Sequence, residues 1–139
     1  MYVRNVLKMK KNNKQIGSEF EQKFCMYFFH QGYWAHFLNP APDGSQPFDV
    51  ILMKNGHAIA IDCKTVEGKR FPLDRIEPNQ ESAFRLMENC GNTDNYFALK
   101  ISESEMILVP ANFLIYEKLD KKSVEISYLK EKYGIINLE

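Results

Sequence analysis

Apolar side chains recur at helical spacing from Phe20 through Phe24, Tyr27 and Phe28, between Gly17-Ser18 and Gly32. This spacing predicts a first helix capped by Ser18, stopped by Gly32 and buried along one face. Residues 33–38 read as a strand, and the Pro, Gly and Asp content of residues 39–45 makes them a loop. Two β-like runs, residues 48–53 and 58–64, flank Asn55-Gly56, the strongest short hairpin signal in the chain. After a loop over residues 67–78, Ala83, Phe84, Leu86 and Met87 mark a second helix over about residues 79–90, ended by Gly91. Residues 96–101 and 106–109 predict two more strands, and residues 111–119 and 127–133 two short helices ahead of a brief Ile-Ile run. The order α-β-β-β-α-β-β predicts one α/β domain, a mixed, centrally antiparallel sheet flanked by helices.

The hairpin fixes a register. A two-residue loop at Asn55-Gly56 opposes residues whose numbers sum to 111, so Met53 faces Ala58, Ile51 faces Ala60, and Asp49 faces Asp62. Strand alternation then puts Lys64 on the face of Asp62, while Val50, Leu52, Ile59 and Ile61 point the other way. Two like charges directly opposed destabilise a sheet, and both strands are otherwise apolar, as in a covered hairpin. A divalent cation between the carboxylates relieves that cost. Mg²⁺ takes a few carboxylate oxygens and keeps several waters, which points to metal-assisted phosphodiester hydrolysis. In this reading Asp49 and Asp62 hold the metal, and Lys64 orients the attacking water and offsets phosphate charge. The competing reading is an ordinary Asp62–Lys64 surface pair with the register off by one, which would put the two aspartates on opposite faces.

Composition changes the picture in one respect. With 139 residues, 45% hydrophobic and 26% charged, the chain has material for a single core. Its 18 basic and 18 acidic residues cancel, so the whole molecule is no general polyanion binder. The balance is uneven, however: Arg4, Lys8, Lys10, Lys11 and Lys14 all fall within residues 1–18 with no acidic residue, leaving 13 basic against 18 acidic residues beyond. Residues 1–16 therefore read as a flexible basic arm, either a solubilising start or a phosphate-contacting segment, ahead of one domain over residues 17–139. Cys25, Cys63 and Cys90 form no CxxC and no even framework, which argues against disulfides and zinc and for a cytoplasmic protein. No apolar run is long enough for a membrane span.

Asp49 followed by Asp62-Cys63-Lys64 resembles the PD-(D/E)xK nuclease signature, and Gly17-Ser18-Glu19-Phe20-Glu21 resembles the first helix of Holliday junction resolvases. The resemblance spans residues 17–100. Phe71-Pro72-Leu73 and Ile76 through Gln80 look most like the RecU-type resolvases of bacteria and their phages. It implies a restriction-endonuclease-like fold and a Mg²⁺- or Mn²⁺-dependent endonuclease that cuts branched DNA, four-way junctions included, as a homodimer. Residue by residue, Glu21, Asp49 and Asp62 fall on the family's metal carboxylates and Lys64 on its lysine. The chain differs from the family in Asp62, where these resolvases usually carry Glu, in Asn79 for His and in Phe84 for Tyr. A non-catalytic nucleic-acid-binding protein on the same fold is the alternative, as is a restriction-type or DNA-end nuclease.

Other residues carry two readings each. Ser18-x-x-Glu21 is also a capping box, which would occupy Glu21 with the Ser18 backbone. Gln80 either contacts substrate from the second helix or fills its first turn, and Ser45 either grips phosphate or serves its own turn. Lys8, Lys10, Lys11 and Lys14 would add phosphate contacts from the arm. His30, His36 and His57 lack metal-ligand spacing and read as structural or exposed.

Overall fold

The computed structural model describes residues 13–43 and 45–139, with side chains from Glu19 onward. Lys8, Lys10 and Lys11 lie outside the described residues, as does the side chain of Lys14. The elements follow the order α1 (Asn13–His30), β1 (Trp34–Phe37), β2 (Val50–Lys54), β3 (His57–Thr65), β4 (Arg70–Pro72) and a 3-10 turn (Leu73–Arg75). They continue with α2 (Pro78–Asn89), β5 (Tyr96–Lys100), β6 (Glu105–Pro110), α3 (Ala111–Glu117), β7 (Ser123–Glu125), α4 (Ile126–Tyr133) and β8 (Ile136–Asn137).

Six strands form the main sheet in the order β1-β2-β3-β5-β6-β8, antiparallel except for the parallel β3–β5 pair at its centre. That parallel step requires a crossover, and α2 supplies it. The β2–β3 hairpin has the expected register, from Lys54 opposite His57 to Val50 opposite Ile61, and its turn residues Asn55 and Gly56 both adopt positive φ (52° and 74°). Positive φ at both central positions is what a type I′ hairpin turn demands of Asn-Gly.

Helices cover both faces. On one, Phe20, Phe24 and Phe28 of α1 pack on Val50, Leu52, Ile59 and Ile61. On the other, Phe84 of α2, Leu114 of α3 and Leu129 of α4 pack on Ala60, Phe97, Leu99, Ile107 and Val109. The alternation along β3, β5 and β6 thus feeds two separate cores, as a sheet buried on both sides requires.

Two expectations are corrected. The first helix begins no later than Asn13 and runs through Gly17-Ser18, so Ser18 lies inside the helix and is not its N-cap. A single interior glycine costs about 1 kcal/mol, too little to stop a helix that continues on both sides. The expected loop over residues 67–78 contains β4 and the 3-10 turn, because Phe71 and Leu73 are fully buried and β4 pairs with β7 in a second, two-stranded sheet. The tail also closes the main sheet, with β8 pairing with β6. No helix among the described residues is long and apolar enough to cross a membrane.

Candidate active site

The hairpin register carries through to its open end. Asp49 sits one residue before β2, where its N–H donates to the Ile61 carbonyl (3.0 Å) and its carbonyl accepts from Leu38 N–H (2.7 Å). Its Oδ2 accepts a hydrogen bond from the Cys63 backbone N–H at 2.8 Å, which turns the carboxylate across the end of β3. Asp62 follows Ala60 on the face of β3 that packs against Phe97, and Lys64 follows Asp62 on the same face. Lys64 Nζ lies 3.0 Å from Asp62 Oδ2, with the two side chains only 10% and 5% exposed.

Burying a carboxylate beside another carboxylate has a predictable consequence. Desolvation first, and then the charge of Asp49, push the Asp62 pKa up to about 7 against the opposing pull of Lys64. Asp62 Oδ2 is also buried without a hydrogen-bond partner, since the Lys64 ammonium approaches it as an ion pair outside hydrogen-bond geometry. Two carboxylates face one buried ammonium, so negative charge is left over, and a further cation is the group that offsets it. The two acidic side chains therefore fit a divalent metal of the Mg²⁺ type, which needs few protein oxygens and brings its own waters.

Glu21 is free of the capping role, because Ser18 lies within α1. It faces the same cavity, and burial together with the Asp49 charge raises its pKa. Among the described residues no three His, Cys, Asp or Glu side chains form a ready-made metal cluster, and Glu21 stands near Asp49 without joining the aspartates in one. Cys63 points to the α1 side, where burial and the surrounding carboxylates hold its thiol well above the ordinary range, so it is no nucleophile.

The cavity at this end holds about 320 Å³ and is lined by Phe20, Glu21, Asp49, Lys64, Thr65 and Lys100 among others. Lys100 was not among the residues singled out from the sequence. Nothing local distinguishes it from any lysine ending a strand; the parallel pairing that sets it opposite Thr65 brings it here.

Two expected substrate contacts carry structural duties in the fold. Gln80 is buried, and its Oε1 accepts from Glu77 N–H (3.1 Å) while the Glu77 side chain caps the Gln80 backbone, a capping box that starts α2 with Pro78 in its first turn. Ser45 donates to Asp43 Oδ1 through both its N–H (3.1 Å) and its hydroxyl (2.6 Å), and its carbonyl accepts from Asn79 Nδ2 (3.2 Å). Neither lines the cavity. His30, His36 and His57 are exposed as expected; His36 stacks on Trp34, and His57 pairs with Asp94.

No protein-family model matches the sequence, and no curated protein is similar to it in sequence. The fold has a solved counterpart: the chain is similar to Hjc of Archaeoglobus fulgidus, described as a Holliday junction resolvase from an archaeal hyperthermophile. The two superpose with a TM-score of 0.60 at 18% identity, over 83% of this chain and 93% of that one. The mixed α/β architecture expected from the sequence is therefore the fold of this protein.

Proposed function

We propose that the protein is a metal-dependent DNA endonuclease that cuts branched DNA, acting as a Holliday junction resolvase. The observation that carries this reading is half-buried Asp49 facing buried Asp62, with Lys64 3.0 Å from Asp62 Oδ2, beside an open cavity that Asp49 and Lys64 line. It is supported by likeness of fold to a protein described as a Holliday junction resolvase.

Asp49 and Asp62 would hold Mg²⁺ or Mn²⁺, which when bound supplies Lewis acidity at the phosphate and a more acidic water. The chain's own groups account for the rest. Lys64, held against Asp62 and almost closed to solvent, presents a positive charge where the phosphorane builds negative charge. Glu21, with its raised pKa, lines the same cavity near Asp49 and would accept a proton from a water there. Asp49 is fixed by the Cys63 N–H, so the acidic pair is oriented before substrate arrives.

A four-way junction presents two strands for cutting, so we propose a homodimer with one site per strand. The basic segment at residues 1–16 would add phosphate contacts through Lys8, Lys10, Lys11 and Lys14, and a cytoplasmic, reducing setting suits three unpaired cysteines. The finer likeness to RecU-type enzymes rests on residues that have a packing explanation, since Phe71, Leu73 and Ile76 are fully buried. The reading therefore stands at the level of resolvase.

The test is cleavage of a synthetic four-way junction, compared with duplex and flap DNA of the same sequence, with and without Mg²⁺. Paired symmetric nicks that require Mg²⁺ are expected. Binding without cleavage in any divalent cation would make this a nucleic-acid-binding protein on a nuclease fold, and preferential cutting of duplex or DNA ends would make it a nuclease of another class.

A further inference from the structure

The cavity lining carries both signs of charge: the carboxylates of Glu21 and Asp49 and the ammonium groups of Lys64 and Lys100, with Thr65 among them. The two lysines are not equivalent. Lys64 is engaged with Asp62 and nearly buried. Lys100 has no carboxylate within ion-pair distance among the described residues; its ammonium lies instead 4.8 Å from the centre of the Phe20 ring. A cation held over an aromatic face keeps its N–H donors available for an anion.

The parallel β3–β5 register sets Lys100 opposite Thr65, one residue beyond Lys64 opposite Leu99. Alternation therefore turns Lys100 and Thr65 to the α1 side of the sheet while Lys64 stays on the other side with Asp62. The exposed Thr65 contributes a hydroxyl, and its carbonyl is held by Arg75 Nη1, which brings a further cation to the same strand end. The domain around this point is acidic, so a backbone phosphate needs a local positive anchor to lie here.

We propose that Lys100 and the Thr65 hydroxyl form a phosphate-binding subsite that grips the DNA backbone next to the bond to be cut. The subsite rests on the nuclease reading above and assigns it a specific backbone contact. Lys64 serves the reacting phosphate, and Lys100 serves its neighbour on the same strand. The contact carries no base information, so it sets position and affinity without sequence preference.

The experiment measures junction binding without divalent cation by wild type, Lys100→Gln and Lys100→Arg at several salt concentrations, alongside thermal melts and Mg²⁺-dependent kinetics. Lys100→Gln is expected to weaken binding about tenfold and to reduce the slope of log affinity against log salt by about one, the signature of a lost phosphate contact. Lys100→Arg restores both, and the loss in kcat/KM falls on KM. A lower melting temperature with an unchanged salt slope would mean that Lys100 merely packs on Phe20 and would overturn the subsite. Unaltered binding in Lys100→Gln, with wild type cutting junctions, overturns the subsite and leaves the nuclease reading standing. The slope change in a wild type that never cuts supports the subsite and overturns the nuclease reading, and a wild type that binds no DNA overturns both.

Discussion

The β2–β3 hairpin has a carboxylate in close contact with a nitrogen group at each end, and the two contacts are nearly equal in length. At the turn, His57 Nε2 and Asp94 Oδ2 lie 3.2 Å apart with side chains 48% and 41% exposed. At the open end, Lys64 and Asp62 lie 3.0 Å apart at 10% and 5%. Solvent separates the two cases. Water can replace either partner at the turn, so the pair there contributes little. At the open end water is excluded, a second carboxylate crowds in, and Asp62 is pushed up to about 7. Distance alone says nothing about an ion pair's role; burial and unmet charge mark the end of the hairpin where chemistry belongs.

The sharpest way to break this contrast is Asp62→Asn. Mg²⁺-dependent junction cleavage is expected to fall at least about 10³-fold while far-UV circular dichroism is retained, because the substitution removes a metal oxygen from an intact hairpin. Full activity in this variant would sink the assignment.

Titration gives the next two effects. A metal bound between the aspartates must displace the proton on Asp62. Below about pH 7 Mg²⁺ affinity should therefore drop by up to about tenfold per pH unit, levelling off above it, as read by calorimetry at pH 6, 7 and 8. For the metal-free protein the sign is also fixed. The folded state holds the Asp62 proton to about pH 7, whereas the unfolded chain releases it near the ordinary aspartate value of 3.8. The folded state binds more protons in that window, so stability falls as pH rises through it and is flat above about 7. In chelator at pH 8, Asp62→Asn should be more stable than wild type by on the order of 1–3 kcal/mol, and the difference should vanish near pH 4. Melts showing the same difference at both pH values would contradict the buried-pair account.

Smaller effects sharpen the comparison from each side. Glu21→Gln should weaken Mg²⁺ binding or turnover by roughly tenfold, the range for a group acting beside a metal site, with little change in melting temperature. His57→Ala, at the exposed end, should alter stability by no more than about 0.5 kcal/mol and leave cleavage untouched. A large effect there would erase the distinction between the two ends.

Most of what made the site legible was local. Asn55-Gly56 fixes one turn, and the turn fixes which residues oppose each other up to the aspartates. The same logic failed where the determining contact was distant. Gly17-Ser18 looked like a helix start because Ser and Gly favour caps, yet the helix runs through them. Gln80 carried two readings because its place at the start of the second helix suits either, and only the fold shows it buried and reaching back to Glu77 N–H. The three-residue strands β4 and β7 carry no periodicity of their own and exist because they pair with each other across about fifty residues.

The order of its main helices and strands, the hairpin register and the opposition of Asp49 to Asp62 belong to the sequence, since strand period and turn type act over a few residues and leave little choice. The tertiary structure alone decided how far those carboxylates are cut off from water, that Glu21 faces the cavity, and that Lys100 joins it. Each of these depends on packing partners far along the chain: α1 laid over one face, and β5 set parallel beside β3. Desolvation is a property of the assembled core, and no window of sequence contains it.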